Sequence, residues 1–178
     1  MFYTWYESEI GRILLAGTEE SLHYLLFESG KHFQQKGIAQ DWVQDAGPFA
    51  KCQQQLNEYF AGDRQVFDLN LNLVGTEFQK RVWGQLSKIP FGETISYAEL
   101  ASRIGQPGAS RAVGSANGRN PISIIVPCHR VISSGSRLAG YGGGLDNKAK
   151  LLRLEGFSIG DSLEPAKAKV HQDKLLIG

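Results

Sequence analysis

The sequence has few of the features that mark membrane, secreted or disulfide-rich proteins. Only two of its 178 residues are cysteines, Cys52 and Cys128, and their distance along the chain argues against a disulfide framework. No apolar run approaches the roughly 20 residues that a membrane helix needs. Residues 1–5 lack the basic-then-apolar order of a signal peptide. We therefore expect a soluble, cytoplasmic globular protein.

Metal-ligand spacing is also missing. No second cysteine lies near Cys128, and His23, His32 and His171 are scattered along the chain. A Cys-x-x-C redox pair and a zinc site are both disfavoured, so we predict no metal and no cofactor. We interpret these three histidines as surface or packing residues.

The net charge of +1 conceals an asymmetry between the two halves of the chain. Residues 1–73 carry ten acidic and five basic side chains, whereas residues 74–156 carry five acidic and eleven basic ones. A basic half of this kind suits a polyanionic partner such as DNA. A solvated basic surface without such a partner is the alternative that charge alone leaves open.

The first half of the chain has the pattern of a small sheet with one helix. β-forming residues at 2–6 and 13–16 indicate a hairpin, and residues 22–27 indicate a third strand. Apolar residues at helical spacing then predict an amphipathic helix that ends at Gly62: Phe49, Cys52, Leu56, Tyr59 and Phe60. Because Cys52 lies on the buried stripe, we interpret it as a core residue.

The second half begins with signals for capped helices. Thr76 can cap one helix, and Ser96 precedes another that carries Glu99 at its third position, which predicts a capping box. A turn containing Gly105 separates this helix from a further one, over 109 or 110 to about 117. Two short helices joined in this way have the shape of a helix-turn-helix.

The second helix of this pair is unusually thin. Arg111 is its one long side chain near the start, and the remaining positions are small: Ala109, Ser110, Ala112, Gly114, Ser115, Ala116 and Gly118. A thin helix can approach a surface closely, as the minor groove of DNA, about 6 Å wide, would demand. Close packing against another helix is the structural alternative.

A candidate nucleophile follows the apolar run at 122–126. We interpret this run as a buried strand, which Pro127 ends and which presents Cys128 in a fixed direction. The thiolate is the nucleophilic form of cysteine, and His129 together with Arg130 would lower the cost of forming it. A chance Cys-His pair is the alternative.

Glycines are concentrated after this motif, at 135–144. Such a loop lets backbone groups reach the edge of a flat ligand such as a nucleobase, while Tyr141 offers an aromatic face. A surface loop without a ligand is the alternative. A helix from 145 ends at Gly156, and Glu155 at its end could orient His129 or remain an ordinary surface carboxylate.

Residues 75–156 resemble the O6-alkylguanine-DNA alkyltransferase family, also called methylated-DNA-protein-cysteine methyltransferases. The resemblance rests on the order and spacing of these segments: Gly75-Thr76-Glu77-Phe78-Gln79, Val82-Trp83, Ile89-Pro90-Phe91-Gly92, Ser96-Tyr97, Arg111-Ala112-Val113-Gly114, Asn120-Pro121, Pro127-Cys128-His129-Arg130-Val131, Gly140-Tyr141 and Leu151-Leu152 to Glu155-Gly156. Residues 1–74 are assigned to the family's N-terminal domain by position and a compatible strand-strand-helix pattern.

The resemblance implies an α+β fold. It places a ribonuclease H-like N-terminal domain, a small antiparallel sheet with a helix, at 1–74. A helical, winged helix-turn-helix domain that carries the active site follows at 75–160, and a tail at 161–178, which is either mobile or packed on the surface, ends the chain. Some members hold zinc in the N-terminal domain, but the few cysteine and histidine residues of this half predict none here.

The implied function is DNA repair by one irreversible, stoichiometric transfer. The alkyl group of O6-alkylguanine in double-stranded DNA would pass to the protein after the nucleotide is flipped out, with the protein bound in the minor groove. The protein would act without a cofactor and be a monomer in solution. Alkyl-group preference, activity on O4-alkylthymine and cooperative assembly on DNA are left open.

The resemblance also assigns roles to matching positions. Cys128 resembles the alkyl acceptor, with His129 as base through a water molecule and Glu155 completing a Cys-His-Glu relay. Asn120 resembles the residue that ties the active-site turn to the helix-turn-helix. Tyr97 resembles the tyrosine that helps to rotate the nucleotide and donates a hydrogen bond to the departing guanine.

Further positions are implied on the DNA side and in the base pocket. Arg111 resembles the arginine finger that fills the base stack, and the DNA-contacting surface would also include Ser96, Tyr97, Ala112 and Gly114. The backbone carbonyls of Cys128 and Val131 would accept the exocyclic amine. Tyr141 and the N–H of Gly142 would line the pocket near O6.

Three other functions compete with this interpretation. A non-catalytic alkyltransferase-like protein would lack the reactive cysteine that this chain has at position 128. A helix-turn-helix regulator would be expected to carry a separate sensory or dimerisation domain. A cysteine hydrolase with a Cys-His-Glu triad would turn over repeatedly, and a mass measurement distinguishes it from a single transfer.

Overall fold

The computed structural model describes residues 1–160 and 170–172. The described residues form six α-helices and eight strands in this order: β1 (Phe2–Ser8), β2 (Gly11–Gly17), β3 (Leu22–Phe27), α1 (Lys31–Lys36), β4 (Val43–Gln44), α2 (Ala50–Phe60), α3 (Glu77–Leu86), β5 (Ile95–Ser96), α4 (Tyr97–Arg103), α5 (Ser110–Gly118), β6 (Val131–Ile132), α6 (Leu145–Leu154), β7 (Phe157–Ile159) and β8 (Val170–Gln172). Within these described ranges, no helix is both long enough and apolar enough to cross a membrane.

A four-stranded sheet forms the N-terminal half, in the order β3-β2-β1-β4. β1 and β2 form the predicted hairpin, with Phe2 opposite Gly17 and Ser8 opposite Gly11, and β3 pairs with β2 as the third antiparallel strand. β4 is parallel to β1, so the sheet is not purely antiparallel as predicted. β4 and α1 were not predicted, because two and six residues are too short for a periodic pattern.

One hydrophobic core joins the two halves of the chain. The inward face of the sheet supplies Ile13 and Leu15, and the predicted helix α2 supplies Leu56. The same cluster includes Trp83 of α3 and Val113 of α5. Cys52 lies in this core, 4% exposed, and burial raises the pKa of its thiol to about 12, which agrees with the interpretation as a packing residue.

The two predicted helix caps, of which the one at Ser96 was predicted as a capping box, differ in outcome. Thr76 forms the complete motif, because its hydroxyl accepts a hydrogen bond from the N–H of Gln79 (3.2 Å) and the side chain of Gln79 accepts from the N–H of Thr76 (2.9 Å). At Ser96 only one of the two hydrogen bonds of the capping box forms. The hydroxyl accepts from the N–H of Glu99, but the Glu99 carboxylate pairs with Arg103, one turn later on α4, at 2.6 Å.

The helix-turn-helix consists of α4 and α5, joined by residues 104–109. Gly105 lies in this turn with φ of 75°, a conformation that favours glycine. The indole N–H of Trp83 donates to the carbonyl of Ala116 at 2.9 Å and thereby fastens α5 to α3. The small side chains serve packing as well as access, since a Cβ on Gly114 would lie 3.7 Å from the ring of Tyr97.

The predicted strand at 122–126 is wrong. Only Ile122 makes a β-bridge, to Leu25, and the following residues form a tight turn in which Ile124 adopts φ of 69°. The side chain of Asn120 replaces a neighbouring strand, because it accepts from the N–H of Ile122 (3.0 Å) and donates to the carbonyl of Val126 (2.7 Å). The buried polar backbone is thus satisfied without a ladder.

Part of the predicted tail packs on the C-terminal half. β8 pairs antiparallel with β7, so that Phe157 lies opposite Gln172 and Ile159 opposite Val170. A second, smaller core beneath this ribbon contains Leu152 of α6. The rest of the predicted tail, 161–169 and 173–178, lies outside the described residues.

Replacing Thr76 with Ala removes the cap of α3 at the point where the second half begins. We expect the free energy of unfolding to fall by about 1 kcal/mol, because one orphan N–H of the first turn loses its acceptor. Urea denaturation measures the change. Lys80→Ala on the same helix is the control, since its half-exposed pair with Glu77 is worth less than about 0.5 kcal/mol; equal losses in both variants would contradict the cap's role.

Candidate active site

Cys128 lies at the start of a short 3-10 turn, Cys128–Arg130, directly after the tight turn around Asn120. Its side chain is buried, and the amide of Asn120 donates to Sγ at 3.0 Å. The same amide holds the carbonyl of Val126. Asn120 follows the end of α5, so one side chain connects the helix-turn-helix, the turn and the sulfur.

The sulfur is a protonated thiol in this arrangement. Burial raises the pKa of Cys128 to about 11, although Asn120, Lys148 and the N–H groups of Cys128 and His129 lower it. Because the thiolate is the nucleophilic form, reaction at Cys128 requires a base that takes the proton. The structure supplies a candidate in the next residue.

His129 is buried and faces a carboxylate. Its Nε2 lies 2.7 Å from Oε1 of Glu155. Burial lowers the pKa of His129, which is therefore neutral at pH 7. Burial alone would raise the pKa of Glu155, but His129 and Arg130 outweigh it and lower that pKa to about 2. The carboxylate is ionised and can only accept a hydrogen bond.

This pairing fixes the tautomer of His129. Since the ionised Glu155 accepts, Nε2 carries the proton and Nδ1 carries the lone pair. Nδ1 is buried and has no hydrogen-bond partner within residues 1–160 and 170–172. The geometry thus leaves a basic nitrogen available beside Cys128, oriented by Glu155.

Glu155 gathers donors from distant parts of the chain. Tyr59 of α2 donates its hydroxyl to Oε1 at 2.8 Å, and Arg130 donates to both carboxylate oxygens at 2.8 and 2.9 Å. Glu155 is 2% exposed, so the default reading as a surface carboxylate is wrong. The expectation that Arg130 assists the thiolate is also wrong, because its guanidinium bonds to Glu155 and to the carbonyl of Ile89.

Lys148 is a buried amine close enough to Cys128 to lower the pKa of its thiol. It is fully buried on α6 and donates to the carbonyls of Val131 (2.5 Å) and Ala139 (2.6 Å). Burial lowers its pKa to about 7, while Cys128 raises it. Sequence reasoning missed it, although its spacing from Leu151 and Leu152 places it on the apolar stripe of the helix.

The two carbonyls predicted to hold a guanine amine already have protein donors. Val131 accepts from Lys148, and Cys128 accepts from the amide of Asn117 at 3.3 Å. A carbonyl oxygen has two lone pairs, so each retains capacity for a second donor. Both carbonyls belong to buried residues.

The glycine loop is tied to both halves of the chain. Tyr97 donates its hydroxyl to the carbonyl of Ala139 at 2.9 Å, and burial raises the pKa of that hydroxyl to about 12, so it keeps its proton. The carbonyl of Gly142 accepts from the N–H of Lys31 at 2.9 Å. The ring of Tyr141 packs edge-on against Phe27, with 6.4 Å between centroids.

Two cavities adjoin Cys128 and the loop. The inner one, bounded by Cys128, Asn120 and His32, offers about 10 Å³ to a water-sized sphere, which is room for one water molecule. The outer one is a groove of about 660 Å³ between α1, α5 and the loop. A nucleobase is larger than the inner cavity, so it fits beside the sulfur only after residues that line this cavity move. His32, read as a surface or packing residue, borders both cavities.

The predicted DNA-contacting residues lie at the start of α4 and on α5. Arg111 and Ala112 are exposed on α5, and Arg111 has no ion pair within the described ranges. Ser96 already uses its hydroxyl as a helix cap. The structure brings together Cys128, Asn120, His129, Glu155, Val131 and Lys148, and it joins Tyr97, Tyr141 and Gly142 at the loop. No cluster of three or more potential metal ligands occurs in the described part.

Comparisons with known proteins match both halves of the chain to the same family. Residues 77–157 match the family model described as 6-O-methylguanine DNA methyltransferase, DNA binding domain, and residues 1–73 match the ribonuclease-like domain of the same family. A methylated-DNA–protein-cysteine methyltransferase of Methanosarcina acetivorans is 53% identical over 156 residues, which cover 88% of this chain and 99% of that protein.

Mycobacterial proteins give the same result. The methylated-DNA–protein-cysteine methyltransferase of Mycolicibacterium paratuberculosis is 49% identical over 153 residues, covering 86% of this chain and 91% of that one. The crystal structure of Mycobacterium tuberculosis OGT in complex with DNA matches with a TM-score of 0.81 at 49% identity, over 87% of this chain and 92% of that chain.

Replacing Glu155 with Gln tests whether its charge holds the cluster together. We expect a loss of about 3 kcal/mol in the free energy of unfolding at neutral pH, because Arg130 is left as an uncompensated buried charge. The carboxylate stabilises the fold above its ordinary pKa and loses this effect as pH falls through about 2, so the difference should shrink between pH 4.5 and 2.

Urea denaturation at several pH values measures both effects of this substitution. Glu58→Gln is the matched control, because Glu58 pairs with Arg64 at a partly exposed position and should matter far less. A difference between Glu155→Gln and the parent that stays constant down to pH 2 would show that charge is not what Glu155 contributes.

Proposed function

The chain belongs to the 6-O-methylguanine DNA methyltransferase family, and from this premise we propose that it repairs DNA by moving the alkyl group of O6-alkylguanine onto Sγ of Cys128. The observation that carries the proposal is the buried cluster of Cys128, His129 and Glu155, adjacent to a helix-turn-helix. The transfer is direct, and each molecule performs it once.

The proton path follows from the tautomer of His129. The thiol proton of Cys128 passes to Nδ1 through a water molecule, and the resulting imidazolium is stabilised by the carboxylate of Glu155. Sγ then attacks the alkyl carbon, and the bond from that carbon to O6 breaks with its electron pair on guanine. Guanine takes up one proton and leaves as the normal base, while the imidazolium of His129 releases its extra proton to water, so that no proton is gained or lost overall.

Tyr97 is suited to assist the departing guanine. Its hydroxyl is half-buried, keeps its proton at neutral pH and points toward the glycine loop. The carbonyls of Cys128 and Val131, each with a free lone pair, would accept the exocyclic amine. Tyr141 and the N–H of Gly142 would line the pocket near O6 once the loop opens.

The target base must leave the stack before it can react. O6 of a paired guanine is not accessible to Sγ, and extrusion of a nucleotide costs a few kcal/mol. We propose that α5 enters the minor groove through its small residues, among them Ala112 and Gly114, with Ser96 beside it. Arg111 then occupies the gap in the stack.

The division of labour follows the two halves of the chain. We propose that 75–160 binds DNA and accepts the alkyl group, while 1–74 supports the relay through Tyr59. A thioether, unlike an acyl-enzyme, is not cleaved by water and a general base such as His129, which favours a single transfer over a cysteine hydrolase. The thiol itself distinguishes the chain from proteins that only bind the lesion.

Incubation with a duplex that contains O6-methylguanine tests the proposal. We expect intact-mass analysis to find one added methyl group per protein, on the peptide with Cys128, and no further turnover. Cys128→Ser should lose the transfer and retain DNA binding. If a reduced, folded sample gains no methyl group on Cys128, the proposal is wrong. If Cys128→Ser no longer binds DNA, binding and chemistry are not divided as proposed.

Replacing Arg111 with Ala should slow repair of duplex DNA more than reaction with free O6-benzylguanine. The duplex rate is expected to fall by about tenfold or more, since each 1.4 kcal/mol of an extrusion cost of a few kcal/mol is about tenfold. Single-turnover rates on both substrates measure this. Arg12→Ala on β2, bound to Glu7, is the charge-matched control; equal slowing on both substrates would exclude a finger role.

A further inference from the structure

The outer groove has walls from both halves of the chain. One wall is α5, through Ser115 and Gly118, with Arg119 at its end. The opposite wall is α1, through Lys31 and Lys36. The groove shares His32, Gly118 and Gly142 with the inner cavity beside Cys128, so it lies next to the sulfur.

The charge along this groove is of one sign. Lys31, Lys36 and Arg119 are exposed, and none of them forms an ion pair with an acidic side chain in the described part of the chain. No Asp or Glu lines the groove within the described residues, although residues 1–73 carry ten acidic side chains. The acidic excess of this half therefore does not line the groove.

Two contacts fix the position of α1 beside the active site. The N–H of Lys31 donates to the carbonyl of Gly142, so the start of the helix is bonded to the glycine loop. At its end, Nζ of Lys36 lies 4.2 Å from the ring centre of Tyr24 and 5.4 Å from that of Trp42, two stacked rings. Such cation–π contacts hold the ammonium without neutralising it.

We propose that the DNA-binding surface continues from α5 across the groove onto α1, and that Lys31 and Lys36 contact backbone phosphates beside the extruded nucleotide. The inference rests on the proposed function and deepens it, because the N-terminal half then binds DNA directly. Phosphates next to a flipped nucleotide lie on both sides of the path to Cys128. The DNA strand that carries this nucleotide would then lie between α5 on one side and the two lysines of α1 on the other.

The salt dependence of DNA binding tests this contact. Each phosphate contact contributes about 0.9 to the slope of log Kobs against log salt concentration. We expect Lys31→Gln and Lys36→Gln each to reduce the magnitude of the slope by about 0.9 on a duplex with O6-methylguanine. Lys51→Gln removes the same charge from α2, where Lys51 pairs with Asp68 outside the groove, and should keep the parent slope.

Lys31→Gln is the decisive variant, because its N–H bond to Gly142 does not depend on the side chain and Lys36→Gln also removes a ring contact. If the salt-dependence slope of Lys31→Gln equals that of the parent, the inference is overturned. If the slope of Lys51→Gln falls as much as that of Lys31→Gln, the effect comes from net charge alone and the inference is likewise rejected. Mass analysis of Cys128 in the same samples keeps the two proposals apart: methylation with unchanged slopes rejects only the α1 contact, whereas a parent protein that binds but gains no methyl group rejects the proposed function.

Discussion

The buried carboxylate of Glu155 is the group on which both the fold and the site depend. An ionised carboxylate at 2% exposure requires partners, and it receives them from α2 through Tyr59 and from the active-site turn through His129 and Arg130. Removing one member of such a set leaves a buried charge or donor unpaired, which costs several kcal/mol. The orientation of the base beside Cys128 is therefore enforced by the same contacts that join the two halves of the chain.

Local patterns predicted much of this structure. The hairpin, α2, the cap at Thr76 and the two helices after Ser96 follow from propensity, spacing and capping, which act within a few residues. Local patterns did not predict the turn at 122–126. Its β-branched residues favour a strand, whereas the side chain of Asn120, which lies outside the segment, supplies the hydrogen bonds of a turn. Ile124 takes a left-handed conformation there, at a cost of about 1–3 kcal/mol that the surrounding packing offsets.

The sequence identified only some of the residues that form the site. Cys128 and His129 were identified from their adjacency, and Glu155 was one of two alternatives at the end of its helix. The resemblance selected Glu155 and added Asn120 and Tyr97. Lys148, Tyr59 and Lys31 were not identified, because each reaches the site through a contact between residues far apart in the chain. No short-range pattern encodes such a contact. An inward lysine on an apolar helix stripe was the one local sign, and it pointed to Lys148.

The second cysteine gives the protein a built-in internal standard. Cys52 is buried in the core and burial raises the pKa of its thiol to about 12, so it stays a protonated thiol when Cys128 is alkylated. After unfolding, a fresh molecule exposes two titratable sulfhydryls and a consumed molecule exposes one. The consumed fraction of any preparation can thus be counted colorimetrically, without labelled DNA and without changing a single residue.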